Sequence, residues 1–91
     1  MASFQDITHI LAKLDNPKDV DNFFYDLTSQ TEREEFARRF EAAKMLDDGI
    51  SYKNIEEQTG MSSTTIASIA KFLNGKKGGY KKALNLLKKD Q

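Results

Sequence analysis

The chain has 91 residues, 38% hydrophobic and 31% charged, an ordinary soluble composition at a length expected to make one domain with a modest core. With no cysteine and a single histidine, His9, it excludes disulfides, thiolate metal sites and histidine-based metal clusters. The formal charge is zero, yet residues 1–48 carry eleven acidic against six basic side chains (net −5) and residues 49–91 carry three against eight (net +5), a split that points to a polyanion met by the second half.

Helical periodicity runs along the whole chain, and no stretch alternates as a strand would. Phe4, Ile7, Leu11 and Leu14 share one face of a first helix. In "DNPKDV" the predicted start of a second helix has Asn16 as N-cap and Pro17 at the first helical position. Its apolar face is Val20, Phe23, Phe24 and Leu27. "TERE" fits a capping box, Thr31 as cap and Glu34 reaching back, for a longer helix to about Asp48. Phe36, Phe40, Ala43 and Leu46 are expected inward there, and Gly49 is expected to end it.

"SYKNIEEQTG" spells a short helix capped at Ser51 and stopped at Gly60. "SSTTIASIAKFLNG" spells the next, capped at Ser62 or Ser63 and stopped by Asn74-Gly75. "KKGGYKK" is expected to be a basic connector; it lacks the glycine and Lys-Ser/Thr spacing of a phosphate-binding loop. A final helix carries Tyr80, Ala83, Leu84 and Leu87. No run of ten apolar residues occurs, so no membrane span or signal sequence is expected, and the expected location is cytoplasmic.

The two short helices joined by "TGMS" have helix-turn-helix proportions. Gly60 suits a tight left-handed turn. Ile55, Met61, Ile66 and Ile69 are expected to face inward, leaving Ser62, Ser63, Thr64, Ala67, Ser68 and Lys71 outward. Lysine and glutamate are better helix formers than hydroxyl residues, so a row of small side chains here suits close approach to another surface. At the start of a recognition helix, hydroxyls bond bases or phosphates and methyls touch thymine. The large phenylalanines of the N-terminal half exceed what such short helices cover alone, and a second subunit would cover them.

The stretch from Leu27 to Leu73, "LTSQTEREEFARRFEAAKMLDDGISYKNIEEQTGMSSTTIASIAKFL", resembles the Trp repressor family over about half the chain. The likeness is carried by "ERE", the arginine that follows, "IS" before the hairpin, the turn glycine and "TI" in the second hairpin helix. "GGY" at Gly78-Gly79-Tyr80 is similar to the Trp-repressor-related subgroup of Gram-positive bacteria. The resemblance implies an all-α, six-helix fold with a helix-turn-helix in an intertwined homodimer. Such a dimer would act as a repressor of amino-acid metabolism genes by binding a palindromic operator in double-stranded DNA. In that arrangement residues 1–49 hold the dimerisation helices, 50–75 the helix-turn-helix, and 76–91 the basic connector and last helix of a single domain. Ser63, Thr64 and Ala67 stand at the family's second-helix DNA contacts, Tyr52 and Lys53 at those of the first. Arg39, or Arg38 if a gap lies elsewhere, stands at the arginine that packs on the corepressor. The family's "Thr-Arg-Gly" is Ala67-Ser68-Ile69 here, so a second arginine is missing and a glycine that leaves room for an indole is filled. A small-molecule corepressor, where one acts, is therefore expected to be other than tryptophan, and no other cofactor is expected.

Catalysis is not expected. Glu34-Glu35, Asp47-Asp48 and Glu56-Glu57 are adjacent in sequence and point about 100° apart on a helix, so they do not converge. No nucleophile–base pair stands out when cysteine is absent and the one histidine lies far from the hydroxyl cluster. The competing function is a helical protein–protein interaction module without DNA binding, for which the Phe-rich half would supply the groove.

Overall fold

The structure, a computed structural model, describes residues 2–91. Among them there are six α-helices and no strand: α1 (Phe4–Lys13), α2 (Pro17–Leu27), α3 (Gln30–Asp47), α4 (Tyr52–Thr59), α5 (Ser63–Leu73) and α6 (Gly79–Lys89). They fall into two units, one reaching to Arg33 and one running from Glu34 to Gln91, so α3 opens in the first and continues in the second.

In the first unit local chemistry sets the helix ends. Ser3 caps α1: its Oγ accepts from the Asp6 N–H, and the Asp6 carboxylate accepts from the Ser3 N–H at 2.8 Å. Asn16 caps α2 as expected, its Oδ1 accepting from the Asp19 N–H at 2.9 Å. Pro17 holds the first helical position, where a missing N–H leaves nothing unpaired. At the other end of α2, Arg33 Nη1 donates to the carbonyls of Thr28 (2.6 Å) and Tyr25 (3.1 Å). Its guanidinium lies 4.5 Å from the centre of the Tyr25 ring. One arginine thus serves carbonyls that a helix C-terminus leaves orphaned and places a positive charge at the negative end of the helix dipole. No residue of α1 or α2 is buried, and Phe4 remains 75% exposed.

The start of α3 corrects the sequence expectation. The helix begins two residues before the expected first turn, and the box is built on Ser29: Ser29 Oγ accepts from the Glu32 N–H, and the Glu32 carboxylate accepts from the Ser29 N–H at 2.9 Å. That backbone hydrogen bond, followed by the one from the Ser29 hydroxyl, holds the Glu32 carboxyl below its ordinary range. Thr31 lies within the helix and caps nothing. "SQTE" and "TERE" both satisfy the capping pattern, and the earlier one gives the longer helix.

The second unit holds the buried core. Ala42, Ala43 and Met45 of α3, Ile55 of α4, Met61 of the following turn, Ile66, Ile69 and Leu73 of α5, and Leu84 of α6 form one apolar cluster. Phe40, Leu46, Ile50 and Tyr80 pack against it while half-buried. Phe36, expected inward, is 48% exposed. Gly49, in the left-handed region at φ 82°, ends α3 in a Schellman motif. There the Ile50 N–H donates to the Met45 carbonyl and the Gly49 N–H to the Leu46 carbonyl, both at 3.0 Å.

A second correction concerns "KKGGYKK". Gly79 to Lys82 belong to α6, and the connector is only the short turn Asn74–Gly78. Asp47, the last residue of α3, ties α6 to it: its carboxylate accepts from Lys81 Nζ at 3.0 Å and from Lys88 Nζ at 2.9 Å. Lysines seven apart lie two turns along one helix face, so one carboxylate grips α6 at two points. The Lys88 hydrogen bond first, and that of Lys81 second, hold the Asp47 carboxyl below its ordinary range, and Lys88 is raised in return.

Candidate nucleic-acid interface

The polar face of α5 exists because its apolar face is used up. Ile66, Ile69 and Leu73 are buried and fix the rotation of the helix; Ser63, Thr64, Ala67, Ser68 and Lys71 are left exposed on the other side. Serine and threonine are weak helix formers, so α5 is held by packing against α4 and α6 rather than by propensity.

The turn before it is tightly specified. Gly60 is left-handed at φ 73°, and its N–H donates to the Glu56 carbonyl at 2.9 Å. A side chain at that φ would strain the turn, although nothing lies within 4 Å of where a Cβ would sit. Thr59 Oγ1 donates to the Ile55 carbonyl at 2.6 Å and accepts from the Met61 N–H at 3.2 Å, which delivers Met61 into the core. Ser62 then caps α5, its Oγ accepting from the Thr65 N–H at 3.2 Å and sharing a 3.0 Å contact with Thr65 Oγ1. Of the two caps open in the sequence, Ser62 is the one used, and its hydroxyl is engaged within the helix end.

Most other Ser and Thr hydroxyls are engaged too. Ser3, Ser29 and Ser51 cap helices, and Thr8, Thr28 and Thr59 donate to backbone carbonyls. Apart from Thr31, the Ser and Thr hydroxyls without a hydrogen-bond partner among the described residues are those of Ser63, Thr64 and Ser68. All three lie on the exposed face of α5. Tyr52 and Lys53, in the first turn of α4 behind the Ser51 cap, are exposed as well.

The two candidate effector arginines differ. Arg38 is exposed and paired with Glu35 at 2.8 Å, one turn away. Arg39 is half-buried, and its Nε is enclosed with no hydrogen-bond partner. Two contributors had no signal in the sequence. Asp47 acts through lysines 34 and 41 positions away, and Arg33 through backbone carbonyls of the preceding helix.

Among the described residues no group of three or more His, Cys, Asp or Glu could hold a metal ion, and no helix is long and apolar enough to cross a membrane. Compared with known proteins, the sequence matches the family described as Trp repressor protein over residues 2–88, well beyond the stretch from Leu27 to Leu73. The chain belongs to the Trp repressor family. The all-α architecture agrees with that membership. The chain is also similar to an uncharacterized protein of Bacillus subtilis strain 168, YerC, 38% identical over 69 residues. That similarity covers 76% of this chain and 66% of YerC, so the chain spans slightly less than two thirds of its relative's length.

Proposed function

We propose that this Trp repressor family member is a sequence-specific repressor that reads a palindromic operator as a homodimer, with α4 and α5 as its helix-turn-helix. The observation that carries this is the set of unengaged hydroxyls of Ser63, Thr64 and Ser68 around the Ala67 methyl on the exposed face of α5. Small side chains let the helix backbone lie deep in the major groove, where hydroxyls meet base edges and a methyl meets thymine. Tyr52 and Lys53 flank it at the start of α4 and would meet the backbone phosphates, with Lys71 at the far end of α5. Ser62 contributes through its backbone and its cap rather than through a free hydroxyl.

Two-fold reading needs a dimer. The exposed Phe4, Tyr25, Leu27 and Phe36 supply the apolar surface for one. The family's regulated genes point to amino-acid metabolism, and an effector would be held by Arg39, whose enclosed Nε still has a hydrogen bond to give. Ser68 and Ile69, where the family's pattern has arginine and glycine, argue for a ligand other than tryptophan: Ile69 is buried in the core and Ser68 cannot stack on a ring.

The test is a gel-shift titration on fragments selected from genomic DNA, repeated across salt concentrations. Binding should weaken steeply as salt rises and should favour sites with two-fold symmetry. Salt-independent capture, or none, would leave the protein-interaction module as the better account.

A further inference from the structure

The lysines of the second unit are not equivalent. Asp47 occupies Lys81 and Lys88, one on each carboxylate oxygen. Lys53, Lys71, Lys76, Lys77, Lys82 and Lys89 are exposed and make no ion pair among the described residues. Three of these six follow one another along a single path. Lys71 stands in the last turn of α5, and Lys76 and Lys77 in the turn immediately after it.

That turn is folded tightly onto the end of α5. The Gly75 N–H donates to the Phe72 carbonyl at 3.1 Å, and a Cβ at Gly75 would sit 3.2 Å from the Lys71 carbonyl oxygen. The Asn74 side chain closes the same end by donating to the Ala70 carbonyl at 3.0 Å. Gly78 then turns left-handed into α6, whose placement Asp47 fixes through Lys81 and Lys88. The lysine pair is therefore fastened on both sides rather than trailing loosely.

Helix geometry says where that pair falls. At about 1.5 Å per residue, the step from Thr64 to the turn covers roughly 15–18 Å, more than the major groove's width of about 12 Å. Where the N-terminal residues of α5 enter the groove end-on to meet base edges, its far end lies at the groove's rim, over phosphates.

We propose that Lys76 and Lys77, entered through Lys71, form a phosphate clamp on the DNA backbone beside the bases met by α5, while Asp47 withdraws Lys81 and Lys88 from that role. The clamp rests on the DNA-binding function proposed for α4 and α5, and its occupant is the phosphate chain of B-form DNA irrespective of sequence.

The experiment measures binding of the full chain to a long mixed-sequence duplex as a function of salt. Five proteins are compared: the parent, Lys76→Gln/Lys77→Gln, each of its two single variants, and Lys81→Gln/Lys88→Gln. Each phosphate contact contributes about 0.9 to the slope of log affinity against log salt, so the first pair should lose about two units and each single variant about one. The Lys81/Lys88 pair should keep the parent slope, with circular dichroism checking that every variant stays helical. A parent that binds with a steep slope shared by the Lys76/Lys77 variant overturns the clamp and leaves the DNA-binding function standing. Equal losses in both pairs overturn the sorting by Asp47. A parent that does not bind the duplex at all, nor any selected genomic fragment, overturns both function and clamp.

Discussion

At the scale of single residues, Thr64 and Ala67 separate recognition from folding. Both side chains are exposed on α5, so their replacement removes no core contact. Thr64→Ala is expected to lower operator affinity by about 1–3 kcal/mol, the worth of one good base contact. Ala67→Asp should abolish binding by turning a carboxylate toward phosphates. Both variants should unfold with the parent in a thermal melt, and parent-like binding by both would remove α5 as the reading element. The effector site yields a negative expectation. The missing cation–π partner at Ser68 forfeits roughly 0.5–2 kcal/mol, and filling a ring's space with Ile69 costs about 1–3 kcal/mol. Calorimetry with tryptophan should therefore show at best weak binding; a dissociation constant below about 50 µM, with tighter operator binding, would overturn this. The exposed set on α5 was legible in the sequence because a helix that buries Ile66 and Ile69 has little freedom left in its rotation, and Leu73 extends that buried stripe beyond what was read. The engagement of Ser62 was half legible, since Ser62 and Ser63 are both competent caps and only the backbone decides between them.

At the scale of elements, the helix ends were the most readable part of the chain. Asn16-Pro17, Ser51, Gly60 and Asn74-Gly75 each act within a turn of themselves, and each stands where expected. The start of α3 was misjudged because two overlapping boxes compete, and the error supplies a test. Ser29→Ala should destabilise the protein by about 0.5–2 kcal/mol, whereas Thr31→Ala, removing a hydroxyl with no partner, should change the melting temperature little. The beginning of α6 was blurred for a different reason, with Tyr80 read both in the connector and in the helix. Gly78-Gly79 looks like a breaker locally, and the ion pairs that hold α6 come from Asp47, more than thirty residues away. Asp47→Asn probes them through pH. The folded carboxyl titrates below its ordinary value of 3.8, so its contribution is complete above that value and fades as the pH falls through and below it. The variant should be less stable than the parent at neutral pH, and the gap should narrow as the pH falls below 3.8. A gap that stays constant across that range would mean the two lysines give the carboxylate nothing.

At the scale of the molecule, the two halves differ in what holds them. Among the described residues every buried one lies at or after Ala42, while α1 and α2 bury none. Burying a large apolar side chain stabilises by about 1.5–3 kcal/mol, so four exposed or half-exposed phenylalanines before Arg38 represent a substantial unused contribution. Sedimentation at micromolar concentration should give about twice the chain mass of 10.3 kDa. A well-folded species at the single-chain mass would show that no second copy is needed. The composition pointed to this surplus, but it could not show that the surplus gathers in α1, α2 and the first turns of α3.

The bare N-terminal helices also bear on how long the protein lasts in a cell. Segments that open at little free-energy cost are where proteases cut first. A newly made chain without a partner would present α1 and α2 in that state, and pairing would shield them. Degradation would then fall hardest on unpaired chains, so the steady level of the protein would rise more steeply than its rate of synthesis.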